Sequence, residues 1–459
     1  MSFAEFLTKF DEVFWGLPLI VLLLGAGIVL TIRTRFIQFR RFPYIIKHTL
    51  GKIFEKGEIE EGAISPFQAL STALAATVGT GNIVGVSVAI LGGGPGAVFW
   101  MWVAAFFGMC TKFSEVNLAI AYRVKTAQGG YAGGPMYYIE RGLKKPWLGK
   151  AFALFAAIAT LGIGNSVQSN AIANTLNGSF NVPKFVTAVI ITALAAVVVI
   201  GGIQSIAKVT EKLVPFMATF YIIGGLIIIF SNIDTLGSAI ASIFIGAFNP
   251  QAVGGGALGY TIMMAMRNGI SRGVFTNEAG LGSSPIAHAT ASTDHPTRQG
   301  IWGVTEVFLD TFIVCTITAL VILTSGVLDD GITDPSVLVS HAFATKFVLG
   351  KYIVSIGLLL FAFSTILSWE YYGETSIRYL LGDKVSIPYK VVYLILTFIG
   401  CTMNLGLAWT VANILNGFMA IPNLIALIGL SGVVYALAKD FFADDRVRKS
   451  PDEYKHLLR

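Results

Sequence analysis

The sequence predicts an all-α polytopic membrane protein of about eleven spans, with a five-plus-five inverted repeat, discontinuous helices and one extra helix at the N-terminus. Three observations carry this. Hydrophobic residues make up 54% of the 459 residues and charged residues only 13%, about half the charged share of a soluble domain, and the mean hydropathy is +0.72. Apolar runs recur along the whole chain, and the basic residues gather in alternate connections between them.

The runs fall near 15–32, 64–91, 96–122, 149–175, 185–204, 209–231, 250–272, 300–325, 351–377, 389–405 and 410–438, each close to or above the ~20 residues that a bilayer requires. Between the first two lie Arg33, Arg35, Arg40, Arg41, Lys47, Lys52 and Lys56, and the next connection on that side holds Arg123, Lys125, Arg141, Lys144, Lys145 and Lys150. The positive-inside rule assigns both to the cytoplasm. Alternation then places the N-terminus outside and the C-terminus inside, as an odd number of spans requires. The surplus of 32 Lys and Arg over 26 Asp and Glu therefore reads as membrane topology and not as a nucleic-acid patch, and lipid is the expected surrounding partner.

Residues 1–12 carry Glu5, Lys9, Asp11 and Glu12 with no basic leader or small-residue cleavage site, so no signal peptide is read. Cys110, Cys315 and Cys401 all fall in apolar runs and imply no disulfide framework.

After the first span, ten remain, and the first of each five is rich in glycine and polar residues. The expected organisation is an extra span and basic segment over 1–63, one five-helix repeat over 64–231, a second over 232–438, and a tail over 439–459. In the first repeat the interruption is Thr77-Val78-Gly79-Thr80-Gly81-Asn82. A span normally satisfies its backbone within the helix, so such a polar run at mid-depth points to unwound backbone facing a ligand. A packing face through Gly81 and Gly85 would explain the glycines equally well. In the second repeat the break falls either at Gly254-Gly255-Gly256 with Gly259-Tyr260-Thr261, or between Gly269 and Asn277, the second being preferred because Asn277-Glu278-Ala279-Gly280-Leu281-Gly282 can open a short inner half-helix.

In the ninth span Ser364 and Thr365 follow Phe361 by three and four residues, so one helical face presents a carbonyl and two hydroxyls. Oxygen ligands without a carboxylate suit a monovalent cation, although such hydroxyls also bond the preceding turn of their own helix. Asn165 and Gln168 near the centre of span four can meet a substrate ammonium or an interhelical partner, and Trp369 can wall a small pocket. Among the in-span charges, Glu115 pairs most simply with Lys112. Glu306 and Asp310 can carry a proton, bind a cation or neutralise Arg267 or Arg272.

Enzymatic readings find little support. Gly79 to Val84 lacks the last glycine and the preceding strand of a dinucleotide site, Gly149-Lys150-Ala151 lacks the hydroxyl of a P-loop, and the five histidines form no metal motif. The histidines His288 and His295 fall in a cytoplasmic loop or its adjoining half-helix. A channel is the alternative from another class, since broken helices also build pores.

The strings Gly79 to Val86, Gly93 to Trp102, Thr111 to Val116 and Phe275 to Ala289 resemble the alanine or glycine:cation symporter family, in order and across most of the chain. That resemblance implies a leucine-transporter type of fold, symport of small neutral amino acids, and a sodium ion or proton as coupling cation, with no cofactor and no nucleic-acid partner. It further implies that Thr80 and Gly81 offer N–H groups to the substrate carboxylate while the Ala75 and Val78 carbonyls join Phe361, Ser364 and Thr365 around sodium. Thr77, Gly79, Gln168, Asn277 and Trp369 complete the expected substrate site.

Overall fold

The computed structural model describes residues 2–53, 59–126, 129–248, 260–403, 406–444 and 451–458. Among them, eight helices are long and apolar enough to cross a membrane, and a ninth span arises when a bent pair is counted as one. The nine coincide with predicted spans. The other two predicted spans fall short: the fifth is the 16-residue helix Lys184–Val199, and the seventh lies elsewhere than expected. The outward faces are oily. Val197 is 76% exposed, Ile200 72% and Ile387 74%, as lipid-facing side chains are.

The first span comprises α1 (Phe3–Phe14), capped by Ser2 and Glu5, and α2 (Leu17–Arg33). The helix α1 extends the span into residues that the sequence reading left as a polar end. The second span is discontinuous, as expected: α3 (Pro66–Thr77) and α4 (Gly81–Gly93) meet at 55°. Ser65 opens α3 with a capping box, accepting from Gln68 N while Gln68 Oε1 accepts from Ser65 N, and Pro66 supplies the preset first φ.

Next come α5 (Gly96–Ala121), α6 (Pro146–Phe180), α7 (Lys184–Val199), α8 (Gly202–Ser231) and α9 (Ile233–Phe248). The helix α9 occupies a stretch read as a connection, and 249–259, which include the Gly254-Gly255-Gly256 candidate and Gly259, lie outside the described residues. The seventh span is α10 (Tyr260–Asn277), so the predicted 250–272 ends five residues early. Gly269 and Gly273 do not break it, because they let it approach α5: a Cβ on Gly273 would stand 3.2 Å from the Met101 Cα.

The break follows at 278–284, and the inner half is only the single turn α11 (Pro285–His288), not a half-helix starting at Asn277. Its backbone is unwound, with Glu278, Gly280 and Gly282 at φ 54°, 94° and 84°. Then follow α12 (Pro296–Ser325), α13 (Pro335–Ala344), α14 (Gly350–Leu381), α15 (Ser386–Thr402), α16 (Gly406–Gly429) and α17 (Ser431–Ala443). The predicted eleventh span thus divides into α16 and α17 at Leu430.

At the end of the molecule carrying the basic loops, Ile64 N donates to Thr290 O at 3.1 Å and Ser292 N to Ile64 O at 2.8 Å, a one-residue parallel bridge. It ties the start of α3 to the chain just past α11.

Candidate functional site

The two breaks and the middle of α14 enclose a cavity, and its geometry follows from how α3 ends. Gly79 N, which would close the helix onto Ala75 O, instead donates to Asn82 Oδ1 at 2.9 Å. The Ala75 carbonyl is left without its intrahelical partner. Ser364 Oγ and Thr365 Oγ1 take it up from α14, each at 3.1 Å. The same two hydroxyls lie 2.9 Å from Phe361 O, and Thr365 Oγ1 is 3.5 Å from Ala76 O. Two hydroxyl protons therefore serve five oxygen contacts, leaving lone pairs turned toward one another. Such a buried set of hard oxygens with no carboxylate fits a monovalent cation.

The structure thus brings together Ala75, Phe361, Ser364 and Thr365. Val78 is the exception: it forms the bend at φ −78°, ψ 88°, and its carbonyl is in none of these bonds. Gly79 backs the cluster, where a Cβ would stand 3.0 Å from Thr365 Oγ1.

On the other side of the break α4 begins with a π turn over Gly81–Gly85. The N–H groups of Thr80 and Gly81 open this half-helix, with no preceding turn to receive them. Two further π turns lie nearby: Gly162–Ser166 in α6, whose Ile163 lines the cavity, and Phe308–Cys315 in α12, whose Asp310 is bonded to Asn82. These local widenings recur at functional sites because they expose backbone and redirect side chains.

Of the expected substrate residues, Thr77, Gly79, Thr80, Gly81, Gln168 and Trp369 all line the cavity. Gln168 Oε1 accepts from Thr80 Oγ1 at 3.4 Å. Asn277 does not line it. Its Oδ1 accepts from Ala279 N at 3.0 Å and its Nδ2 donates to Thr311 Oγ1 at 3.2 Å, so it caps the break instead. Asn165 is likewise interhelical, donating to Tyr393 O at 2.7 Å and accepting from Thr397 Oγ1 at 2.8 Å.

Sequence reasoning assigned no role to Phe275, Thr276, Glu278, Leu281 and Asn416, which also line the cavity. Glu278 Oε1 accepts from Trp369 Nε1 at 3.2 Å, and Oε2 accepts from Ser283 Oγ. Its signal was visible as a carboxylate beside a predicted break. Asn416 gave none, lying in an otherwise ordinary span.

The in-span charges pair differently from expectation. Lys112 Nζ stands 3.3 Å from Glu306 Oε1 and donates to Ser284 Oγ at 2.7 Å, so its partner is not Glu115. Glu115 accepts from Gly280 N at 3.1 Å and Asn423 Nδ2 at 2.6 Å, satisfying backbone that the break set free. Glu306 is held by Lys112 and His288, not by Arg267 or Arg272. Gln299 Nε2 lies 2.9 Å from His288 Nδ1, and His288 Nε2 lies 3.0 Å from Glu306 Oε2. Asp310 accepts from Asn82 Nδ2 and Thr311 Oγ1.

Comparison with known proteins bears on this arrangement. The sequence profile of the sodium:alanine symporter family matches residues 1–455. The chain is 48% identical over 457 residues to the sodium/alanine symporter AgcS of Methanococcus maripaludis, covering 98% of this chain and 99% of that one. It is 39% identical over 458 residues, 97% and 94% of the two chains, to the uncharacterized transporter YaaJ of Escherichia coli. It is also 39% identical over 463 residues to the probable sodium/glutamine symporter GlnT of Bacillus subtilis, 98% and 93% of the two chains. Among solved structures, MhsT in complex with L-phenylalanine superposes with a TM-score of 0.54 at 16% identity, over 88% of this chain and 97% of that one. A fold shared with a solved transporter is what that likeness shows. The chain belongs to the sodium:alanine symporter family.

Proposed function

We propose that this member of the sodium:alanine symporter family couples the inward movement of a sodium ion to that of a small neutral amino acid, alanine or glycine first, by alternating access. The observation that carries the reading is the meeting of the freed Ala75 carbonyl with the Ser364 and Thr365 hydroxyls, 3.1 Å away on α14, beside a cavity lined by Thr80 and Gly81.

In this reading the N–H groups of Thr80 and Gly81 and the positive end of the α4 dipole bind the substrate carboxylate. Gly81 admits the carboxylate to the backbone. Sodium binds the Ala75, Phe361, Ser364 and Thr365 oxygens, with Val78 brought in by a small turn of the bend. Because one ligand set hangs on the broken helix and the other on α14, occupation joins two elements that otherwise move separately. Trp369 limits side-chain size. Relatives named for sodium support sodium over a proton as the coupling ion. The pattern of basic loops supports an outside N-terminus, a cytoplasmic C-terminus and repeats over 64–231 and 232–438.

Uptake of labelled alanine into proteoliposomes, with sodium and proton gradients imposed separately, tests the reading. Accumulation against the alanine gradient, driven by sodium alone, is the expected result. Equilibration without accumulation, as a channel gives, overturns it.

A further inference from the structure

The cavity carries an acidic group and a free amide oxygen that carboxylate and sodium binding leave unused. Glu278 is 5% exposed and Asn416 1% exposed, and both line the cavity. The Glu278 carboxylate is engaged by two neutral donors, Trp369 Nε1 and Ser283 Oγ. A carboxylate offers about four acceptor positions, so two remain. No Lys, Arg or His within ion-pair distance of it occurs among the described residues, and Lys112 on the facing helix α5 is held by Glu306 and Ser284. Asn416 Oδ1 has no hydrogen-bond partner at all. Buried amide oxygens are almost always paired, and a charged carboxylate within a membrane is held by a counter-charge.

The backbone at Glu278 is part of the same construction. It holds a left-handed φ of 54° immediately past the end of α10, a conformation that a non-glycine residue adopts at some cost. The amide of Asn277 secures it by capping Ala279.

We infer that Glu278 and Asn416 form the seat of the substrate's ammonium group, so that the transported class is defined by a positive charge beside the carboxylate as well as by size. This rests on the symport reading above. An ammonium has three donors. Glu278 and Asn416 supply acceptors to the cavity, and the start of α4 supplies donors to it. One sodium, one zwitterion and the Glu278 carboxylate together carry no net charge, which favours their binding as a set where an uncompensated charge is costly. Gln168 is a poorer acceptor, since its oxygen already receives the Thr80 hydroxyl and its Nε2 donates to Ile163 O at 3.1 Å.

The test compares L-alanine with L-lactate, which carries a neutral hydroxyl in place of the ammonium, by calorimetric titration of purified protein in sodium. Wild type is expected to bind alanine at least a hundredfold more tightly than lactate. In Glu278→Gln, alanine affinity is expected to fall about thirtyfold or more, the scale of losing a charged partner, while lactate affinity changes by less than about threefold. Asn416→Ala is expected to shift the same ratio in the same direction by a smaller factor.

Equal losses for alanine and lactate, or no loss in Glu278→Gln, overturn the inference, because a merely structural Glu278 leaves the ratio unmoved. A sodium-induced rise in melting temperature without substrate identifies folded Glu278→Gln. If it does not fold, the Asn416→Ala ratio decides alone, an unchanged ratio counting against the seat. Failure of wild type to take up alanine on a sodium gradient removes the symport reading itself, a separate result.

Discussion

Asn82 Nδ2 donates to Asp310 Oδ1 at 2.6 Å while the Asn82 side-chain oxygen accepts from Gly79 N at 2.9 Å. One side chain thereby holds the break of the second span open and fastens it to the π turn of α12. Asn82→Ala is expected to lower stability by about 1–3 kcal/mol, the cost of stranding a buried acceptor. A double-mutant cycle with Asp310→Asn, read from melting in detergent, is expected to show coupling of about 0.5–3 kcal/mol. Additive effects would separate the two residues.

Thr365→Val keeps the side-chain shape and removes one oxygen of the proposed cation cluster. Loss of that ligand is expected to cost on the order of 1–3 kcal/mol, and each ~1.4 kcal/mol is a tenfold change in binding. The sodium concentration for half-maximal uptake should rise accordingly. Gly79→Ala should act in the same direction, because its methyl would stand 3.0 Å from Thr365 Oγ1. Unchanged sodium dependence in both variants counts against the cluster.

Gly81→Ala has two possible victims. The added methyl would lie 3.0 Å from Thr276 Cγ2 as well as at the cavity wall. Thr276→Ser removes that Cγ2. The double variant Gly81→Ala/Thr276→Ser is expected to recover melting temperature without recovering alanine binding, because the methyl still bars the carboxylate from the backbone. Recovery of both would assign Gly81 to helix approach alone.

Trp369 is pressed into place from behind: a Cβ on Gly164 would come within 2.6 Å of its Cδ2. Glycine and alanine should compete for uptake in wild type while leucine does not. Trp369→Ala should narrow the difference, since one methylene in an apolar pocket is otherwise worth only about 1–3 kcal/mol. Leucine competing as well as alanine in wild type would contradict the wall.

Glu370 is fully buried, and neither carboxyl oxygen has a hydrogen-bond partner. Replacement of an unsatisfied buried ionisable group by an apolar side chain of similar length removes its desolvation cost. Glu370→Met is expected to stabilise the protein by about 1–4 kcal/mol, seen as a higher melting temperature. A lower one would show that the carboxyl is stabilised in the folded protein and would overturn the prediction.

Legibility followed the range of the signal. The break at Thr77–Asn82 was readable because polar residues interrupt an apolar run, a property of consecutive residues. The Phe361, Ser364 and Thr365 face was readable because helical periodicity is local. The second break was only half readable: Gly269 and Gly273 look like helix breakers until α5 is seen packed against them. Lys112 looked paired to Glu115 one turn away, and its real partner Glu306 comes from another helix. Asn416 was silent for the same reason, since its importance comes from the cavity that other helices build around it.

The bridge between Ile64 and Ala291 bears on how many independent parts the transporter has. Two interrupted helices, each with its own hinge, would ordinarily swing separately, and a cycle built on them would have to synchronise the swings. Here the stretch leading into α3 and the stretch leaving α11 share one strap of main-chain bonds, which substitution by residues other than proline leaves in place. The segments that carry the two breaks are thus joined at one main-chain contact. In the symport reading proposed above, a tilt of α3, which carries Ala75, would be passed through this contact to the chain just past α11, giving the ion side and the solute side of the site a shared main-chain link.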